Sequence, residues 1–384
     1  MILTSAQLER IRQDAAARVE SVAALTQRIC AVPAPTGQEQ ARAEFVAALW
    51  RERGYTPEID AVSNVYVRRG HHPGAPLLML LAHIDTVFPA ETPLTIRRDG
   101  DYLYGPGIGD NCSSVATMIS ALDMLDAYQW ETPVDILAVA DVGEEGLGNL
   151  RGARTAVERY HKQLGGVIAI DGNVGVIVNA AVGSQRWRIT VSGPGGHSFG
   201  SFGTPSAIHG LGTIIAALTT LQVPRDPRTT YNVGMIEGGT SVNTIAAHAS
   251  ALLDLRSTDP TALNTLAQQV RALIDQHTPS GLLVEIEVLG ERPAGKGLAD
   301  DPLLELARQA LQWTGIEPRC VASSTDINIP ISMGIPAVCI GATHGEKAHT
   351  TEEFIRIAPF AQGLAHVTRL CMDATALFAQ QAKA

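Results

Sequence analysis

His83 and Asp85 stand at the end of a short apolar run, Leu77 to Ala82, bounded upstream by Pro73, Gly74 and Pro76. That length and those flanks suit a strand buried on both faces. Residues two apart on a strand project to the same side, so this imidazole and carboxylate can share one site at the strand's C-terminal end. A neutral imidazole ligates a metal through one nitrogen while a carboxylate holds the other N–H. The same pair can equally form a plain His–Asp hydrogen bond with no ligand. A metal site therefore needs further donors from other stretches.

Four stretches offer them. The loop Tyr104-Gly-Pro-Gly-Ile-Gly-Asp-Asn111 has the look of a phosphate cradle, but Asp110 sits where a third glycine would be. A carboxylate at a helix N-terminus argues against an anion site there. Either the glycines let the backbone drive Asp110 into a site, or Asp110 is a helix cap. A second buried-type run, Val134 to Ala140, leads into Glu144 and Glu145. Adjacent residues in an extended loop point different ways, so one can bind a metal while the other faces a water. A third run, Gly166 to Ile170, ends in Asp171, and His349 follows a fourth, Pro336 to Ile340. Ligands in α/β sheets gather outside the carboxyl ends of strands, and here successive apolar runs end in His, Asp and Glu.

The elements that must position these groups follow from the pattern along the chain. Ser5 to Ile29 reads as one long amphipathic helix. Thr36 to Arg51 reads as a second, opened by a Thr36-x-x-Glu39 capping box. Tyr55 to Asp60 and Asn64 to Arg69 read as strands, and a helix runs from about Cys112 to Leu125. From Gln185 the texture changes to strand, helix, two strands, helix, strand, ending near Leu289. That is the ferredoxin-like β-α-β-β-α-β plan. Strand–helix texture then resumes through helices at Pro302–Thr314 and Ile357–Ala379. The expected organisation is a first domain over 1–183 and 293–384, with 184–292 inserted into it.

Composition excludes other classes. A net charge of −10 disfavours a nucleic-acid partner held by a basic field. No stretch has the length and apolarity of a membrane span, and residues 1–22 lack a signal-peptide core. Five scattered cysteines give neither a disulfide framework nor a CxxC zinc pattern, which points to a reducing cytoplasm. Two motifs mislead. Gly196-His-Ser-Phe-Gly200 spells a nucleophile elbow, but no buried strand runs into it and no helix starts directly after it. Gly290 to Lys296 nearly spells a P-loop, but Gly297 stands where the hydroxyl residue is needed.

Taken together the motifs resemble the co-catalytic dinuclear zinc amidohydrolases. These include glutamate carboxypeptidase, peptidase T, bacterial dipeptidases, aminoacylase, acetylornithine deacetylase and succinyl-diaminopimelate desuccinylase. The family's H-x-D-T-V-x-P is His83 to Pro89, its G-x-G-x-x-D is Gly105 to Asp110, and its paired glutamates are Glu144-Glu145. Its His-Thr-x-x-Glu-aromatic is His349 to Phe354, and the inserted domain's G-x-H-S and N-x-I are Gly195 to Ser198 and Asn243 to Ile245. The resemblance implies a mixed α/β sheet flanked by helices, of zinc-exopeptidase type, with the insert serving as lid and dimerisation domain. It implies one metal on His83 and Asp171, a second on Glu145 and His349, and Asp110 bridging both across a cis Asp110–Asn111 bond. Asp85 would orient His83, and Glu144 would be the general base. His197 would reach into a partner's site in a homodimer to stabilise an oxyanion, and Asn243 and Arg256 would hold a substrate carboxylate. Departures from the family pattern are Gly143 before Glu144, Asn111-Cys112, and the spacing over Phe199 to Thr204.

Two divalent ions sharing a carboxylate lower the pKa of a water between them and polarise a carbonyl. The donor set suits zinc, with manganese or cobalt as alternatives. The expectation is a cytoplasmic metallopeptidase hydrolysing small peptides. The alternatives are an N-acyl-amino-acid amidohydrolase and, in a different class, a non-catalytic metal- or peptide-binding protein.

Overall fold

The computed structural model describes residues 3–383; the outermost positions of the first and last expected segments lie outside the described residues. The chain divides into two compact units, one made of 1–181 and 297–384 and the other of Val182–Lys296.

The larger unit is built on a mixed sheet whose centre is Leu77–His83. Parallel neighbours flank it on both sides: Asp135–Asp141, in register from Leu77↔Asp135 to His83↔Asp141, and Leu164–Ile170. Ala337–Ile340 runs parallel to Leu164–Ile170, whereas Val65–Arg69 and Val176–Ala181 join antiparallel. Every residue of Leu77–His83 is buried, because the sheet carries helices on both faces. Leu78, Leu80 and Ala82 point into one apolar core with the helices Val19–Cys30, Ser114–Ala127 and Phe360–Gln381. Leu77, Met79 and Leu81 point into another that includes Ala153, Ala156 and Val157 of the helix Arg151–Tyr160. Each buried leucine contributes about 1.5–3 kcal/mol, so the strand that ends in His83 is rigidly held.

The smaller unit has the strands Gly183–Ser192, Thr229–Gly238, His248–Ser257 and Leu283–Arg292 and the helices Ala207–Leu218 and Pro260–His277. The spatial order of its strands, second–third–first–fourth, is the ferredoxin-like arrangement. Trp187, Ile189 and Val191 face its core. Asp259 caps the longer helix through the Ala262 N–H, with Pro260 at the first helical position.

Several sequence expectations change. The first helix is two, Ser5–Ala17 and Val19–Cys30, broken at Arg18 (φ −94°, ψ −2°). The first piece buries only Ile11 and Ala15, whereas the second buries six residues. Thr36 caps nothing, since the next helix starts at Gln40. Its hydroxyl donates to Asp85 Oδ2 at 2.8 Å instead, and Glu39 accepts from Gly37 N and pairs with Arg151. A side chain's tertiary partner outcompetes the local cap. Helix Ser114–Ala127 is preceded by a helical turn, Ile108–Ser113, that is broken at Asp110 and Asn111. The helix Arg151–Tyr160, which buries Gly152, Ala153, Ala156 and Val157 at helical spacing, and the strands Val176–Ala181 and Arg319–Ser323 are not among the expected elements. No helix among the described residues is long and apolar enough to cross a membrane.

Candidate metal centre

His83 is the last residue of the central strand and is fully buried. Its Nδ1 lies 3.2 Å from the main-chain oxygen of Asp85. A carbonyl only accepts, so this contact places a proton on Nδ1 and leaves the lone pair on Nε2. That Nε2 has no hydrogen-bond partner and sits 3.2 Å from Asp110 Oδ1. The other oxygen of Asp110 lies 3.2 Å from His349 Nε2, which is also 3.0 Å from Glu145 Oε1. Donor atoms of His83, Asp110 and Asp171 fall within 4.8 Å of one another, and so do those of Asp110, Glu145 and His349. The two triads share Asp110. Within the same limit, His83 also meets Glu144 and Glu145.

The strand ends place these groups. Glu144 and Glu145 lie just past the strand Asp135–Asp141, and Asp171 directly follows Leu164–Ile170. Gly143 takes φ +70°, a left-handed turn that a side chain would disfavour, and it turns the chain before the two glutamates. Asp85, expected to orient His83, has its carboxylate 3.5 Å from Nδ1 and spends its hydrogen bonds elsewhere. Its two oxygens accept from Glu144 N at 3.1 Å and Glu145 N at 3.0 Å. It therefore clamps the Glu144–Glu145 backbone while its main chain fixes the imidazole. The Asp110–Asn111 peptide is cis, and His349 has φ +66°.

The electrostatics describe a site built for cations. Burial, and then the charge of Asp110, push Glu145 up to about 7 and Asp171 up to about 6. Burial works against the ionised form of Asp110, but His349 and His83 hold it well below the usual carboxylate range. Asp110 lifts His349 to about 9. Burial would lower His83, but Asp110 and Asp85 override it and hold the imidazole well above its ordinary value. Four carboxyl groups thus crowd two imidazoles, and protons do the work that divalent ions would do. A buried Nε2 lone pair facing a carboxylate, with acidic donors on either side, fits a pair of divalent cations.

Residues of the smaller unit were also expected to act. His197 lies on a two-residue strand paired with Thr244–Ile245. Its Nδ1 accepts from Phe199 N and Gly200 N at 3.2 Å each, leaving Nε2 as the N–H donor of the neutral ring. Asn243 lies beside it, its carbonyl accepting from Ser198 N at 3.0 Å. Arg256 does not join them. The strand His248–Ser257 begins opposite Ser192, close to the His197 hairpin, and ends opposite Gly183. Arg256 is eight residues along it, about 27 Å from His248 at the strand's start. Its Nε donates to Asp254 Oδ2 at 2.6 Å. The helix after the Gly196–Gly200 motif begins at Ala207, so Ser198 is not on a nucleophile elbow.

Sequence reasoning missed Thr36 and Glu353. It also missed Asp141, a fully buried residue beside His83 in the sheet, pushed up to about 7 by burial. Glu353 was visible as part of the His349-Thr-x-x-Glu motif but was given no task.

The sequence pattern of Peptidase family M20/M25/M40 matches residues 79–373. The chain is 28% identical over 346 residues to the succinyl-diaminopimelate desuccinylase of Corynebacterium glutamicum, covering 86% of this chain and 90% of that one. It resembles the solved structure of aminopeptidase PepT from Bacillus cereus, with a TM-score of 0.76, 23% identity, and 93% of this chain and 99% of that one covered. It also resembles the YXEP protein of Bacillus subtilis, described as a dinuclear metal binding peptidase, with a TM-score of 0.68, 16% identity, and 93% and 98% covered. On the match over most of its length, the chain belongs to Peptidase family M20/M25/M40.

Proposed function

We propose that the protein is a hydrolase of C–N bonds that cleaves small peptides, with two divalent ions held around Asp110. The single observation that carries the reading is the pair of donor triads sharing that carboxylate. His83 and Asp171 would hold one ion and Glu145 and His349 the other. Zinc suits the donors best, with manganese or cobalt as substitutes. When bound, the ions supply Lewis acidity toward a carbonyl and lower the pKa of water.

The chain's own groups supply the rest. Glu144, buried beside the donors and held by its backbone on Asp85, takes the proton of the attacking water and returns it to the leaving nitrogen. His197, presenting Nε2–H, donates to the developing oxyanion. Because Asn243 and His197 stand together at the two-stranded hairpin while Arg256 lies near the far end of the strand His248–Ser257, a homodimer is the assembly that lets all three serve one substrate. Arg256 would hold the substrate carboxylate in one chain, and His197 and Asn243 would come from its partner. Five unpaired cysteines fit a reducing, cytoplasmic setting.

A second reading is favoured by relatives named succinyl-diaminopimelate desuccinylase: the same machinery would act on an N-acyl amino acid. The test is hydrolysis of a panel of di- and tripeptides beside N-acetyl and N-succinyl amino acids, each with and without a chelator. Peptide cleavage abolished by the chelator and restored by divalent ions supports the first reading. Cleavage confined to N-acyl substrates moves it to the second, and chelator-insensitive turnover overturns both.

A further inference from the structure

The glycine loop that resembles a phosphate cradle is filled from within the protein. Glu353 Oε1 accepts from Gly109 N and from Asp110 N, each at 2.8 Å, and Oε2 accepts from Gly107 N at 2.8 Å. The main-chain oxygen of Glu353 accepts from Gly105 N at 3.0 Å. Four of the six residues from Gly105 to Asp110 are therefore bound to one residue. The carboxyl group is buried, with Glu353 only 1% exposed. The glycines are shaped around it: a Cβ on Gly109 would lie 2.9 Å from Glu353 Oε1, and Gly107 takes φ +72°. Convergent backbone N–H groups of this kind make an anion-binding concavity. Here the acceptor is a carboxyl side chain four residues past His349.

We infer that Glu353 is the positioning residue of the metal centre, locking the Asp110 loop to the His349 loop so that the shared carboxylate faces both donor triads. Its carboxyl oxygens accept from the backbone of the loop, and it acts through the backbone N–H of Asp110. One residue thus couples the ligand common to both ions with a ligand of the second. The inference rests on the reading of Asp110 as the shared ligand. It accounts for the spacing between the histidine and the glutamate in the motif, which the ligand assignments alone leave unexplained.

The test is competitive metal titration of Glu353→Ala and Glu353→Gln against a chromophoric chelator, with zinc as the probe, beside the wild-type chain. Outer groups that orient ligands typically cost 10–100-fold in metal affinity when removed. Glu353→Ala is expected to bind both ions at least about tenfold more weakly. Glu353→Gln, which keeps one acceptor oxygen, should fall between Glu353→Ala and wild type. The kcat lost by either variant should return at raised zinc while KM stays near wild type, a rescue that a merely destabilised fold would not show. Zinc affinity within twofold of wild type in the folded variants overturns the inference, and so does lost kcat that excess zinc fails to restore. If Glu353→Ala does not fold, Glu353→Gln decides alone. A wild-type chain that binds no zinc would instead sink the reading of the site itself.

Discussion

His83 Nε2 faces Asp110 Oδ1 across 3.2 Å, and neither atom brings a proton of its own to the contact. The ring's one neutral-state proton is spent on the Asp85 carbonyl. Two electron-rich atoms at that distance repel unless something positive sits between them, either a proton or a metal ion. Burial works against an extra proton on the imidazole, but Asp110 and Asp85 override it, so a proton fills the position that a divalent ion would take. Replacing His83 by Ala should therefore reduce bound divalent ions from two to one per chain and lower kcat/KM by at least about a hundredfold. Elemental analysis of the purified variant checks this, and two tightly bound ions would contradict it.

Glu144 is assigned the proton transfer and not the metal. Glu144→Gln keeps its volume and removes the base, so kcat should fall by about 10²–10⁴ with metal content unchanged. Steady-state kinetics and metal analysis on one preparation separate the two effects. A variant that loses a metal ion along with its activity would make Glu144 a ligand.

Proton competition should set the pH dependence of metal binding. Burial raises Glu145 to about 7 and Asp171 to about 6, and Asp110 raises His349 to about 9. All three must be deprotonated to ligate. Acidification from about pH 8 to about pH 5.5 therefore weakens binding, and at neutral pH the incoming ions displace protons. Calorimetric titration of the chelated chain in two buffers of different ionisation enthalpy reads that release. Identical heats in the two buffers would contradict it.

If His197 serves the partner's site, two inactive variants should complement each other. Mixing His197→Ala with Glu144→Ala leaves mixed dimers with one intact site, restoring about a quarter of wild-type activity after subunit exchange. Activity that stays at the level of the separate variants would place His197 in its own chain's site or in none.

Much of this was legible in the sequence because it depends on short-range rules. Leu77–Ala82 reads as a buried strand from its length and flanks, and the donors lie at the strand ends where α/β sheets gather ligands. The β-α-β-β-α-β order of the insert follows from the change to alternating residues at Arg186. What was not legible depends on partners far apart in sequence. Thr36 looks like a helix cap until Asp85 arrives across the fold. Glu353 looks like a surface glutamate until the Gly105–Asp110 loop wraps it. Arg256 and Asn243 are thirteen residues apart in the chain, but Arg256 lies near the far end of the strand His248–Ser257, because a strand converts short sequence separation into length.

The most direct measurement is the metal content of Asp110→Ala beside the wild-type chain, after dialysis against metal-free buffer. Two divalent ions per wild-type chain are expected, with fewer than about one in the variant and no detectable peptide hydrolysis, because both ions lose their common ligand. A folded Asp110→Ala chain that still holds two ions with wild-type affinity would contradict the shared-carboxylate centre.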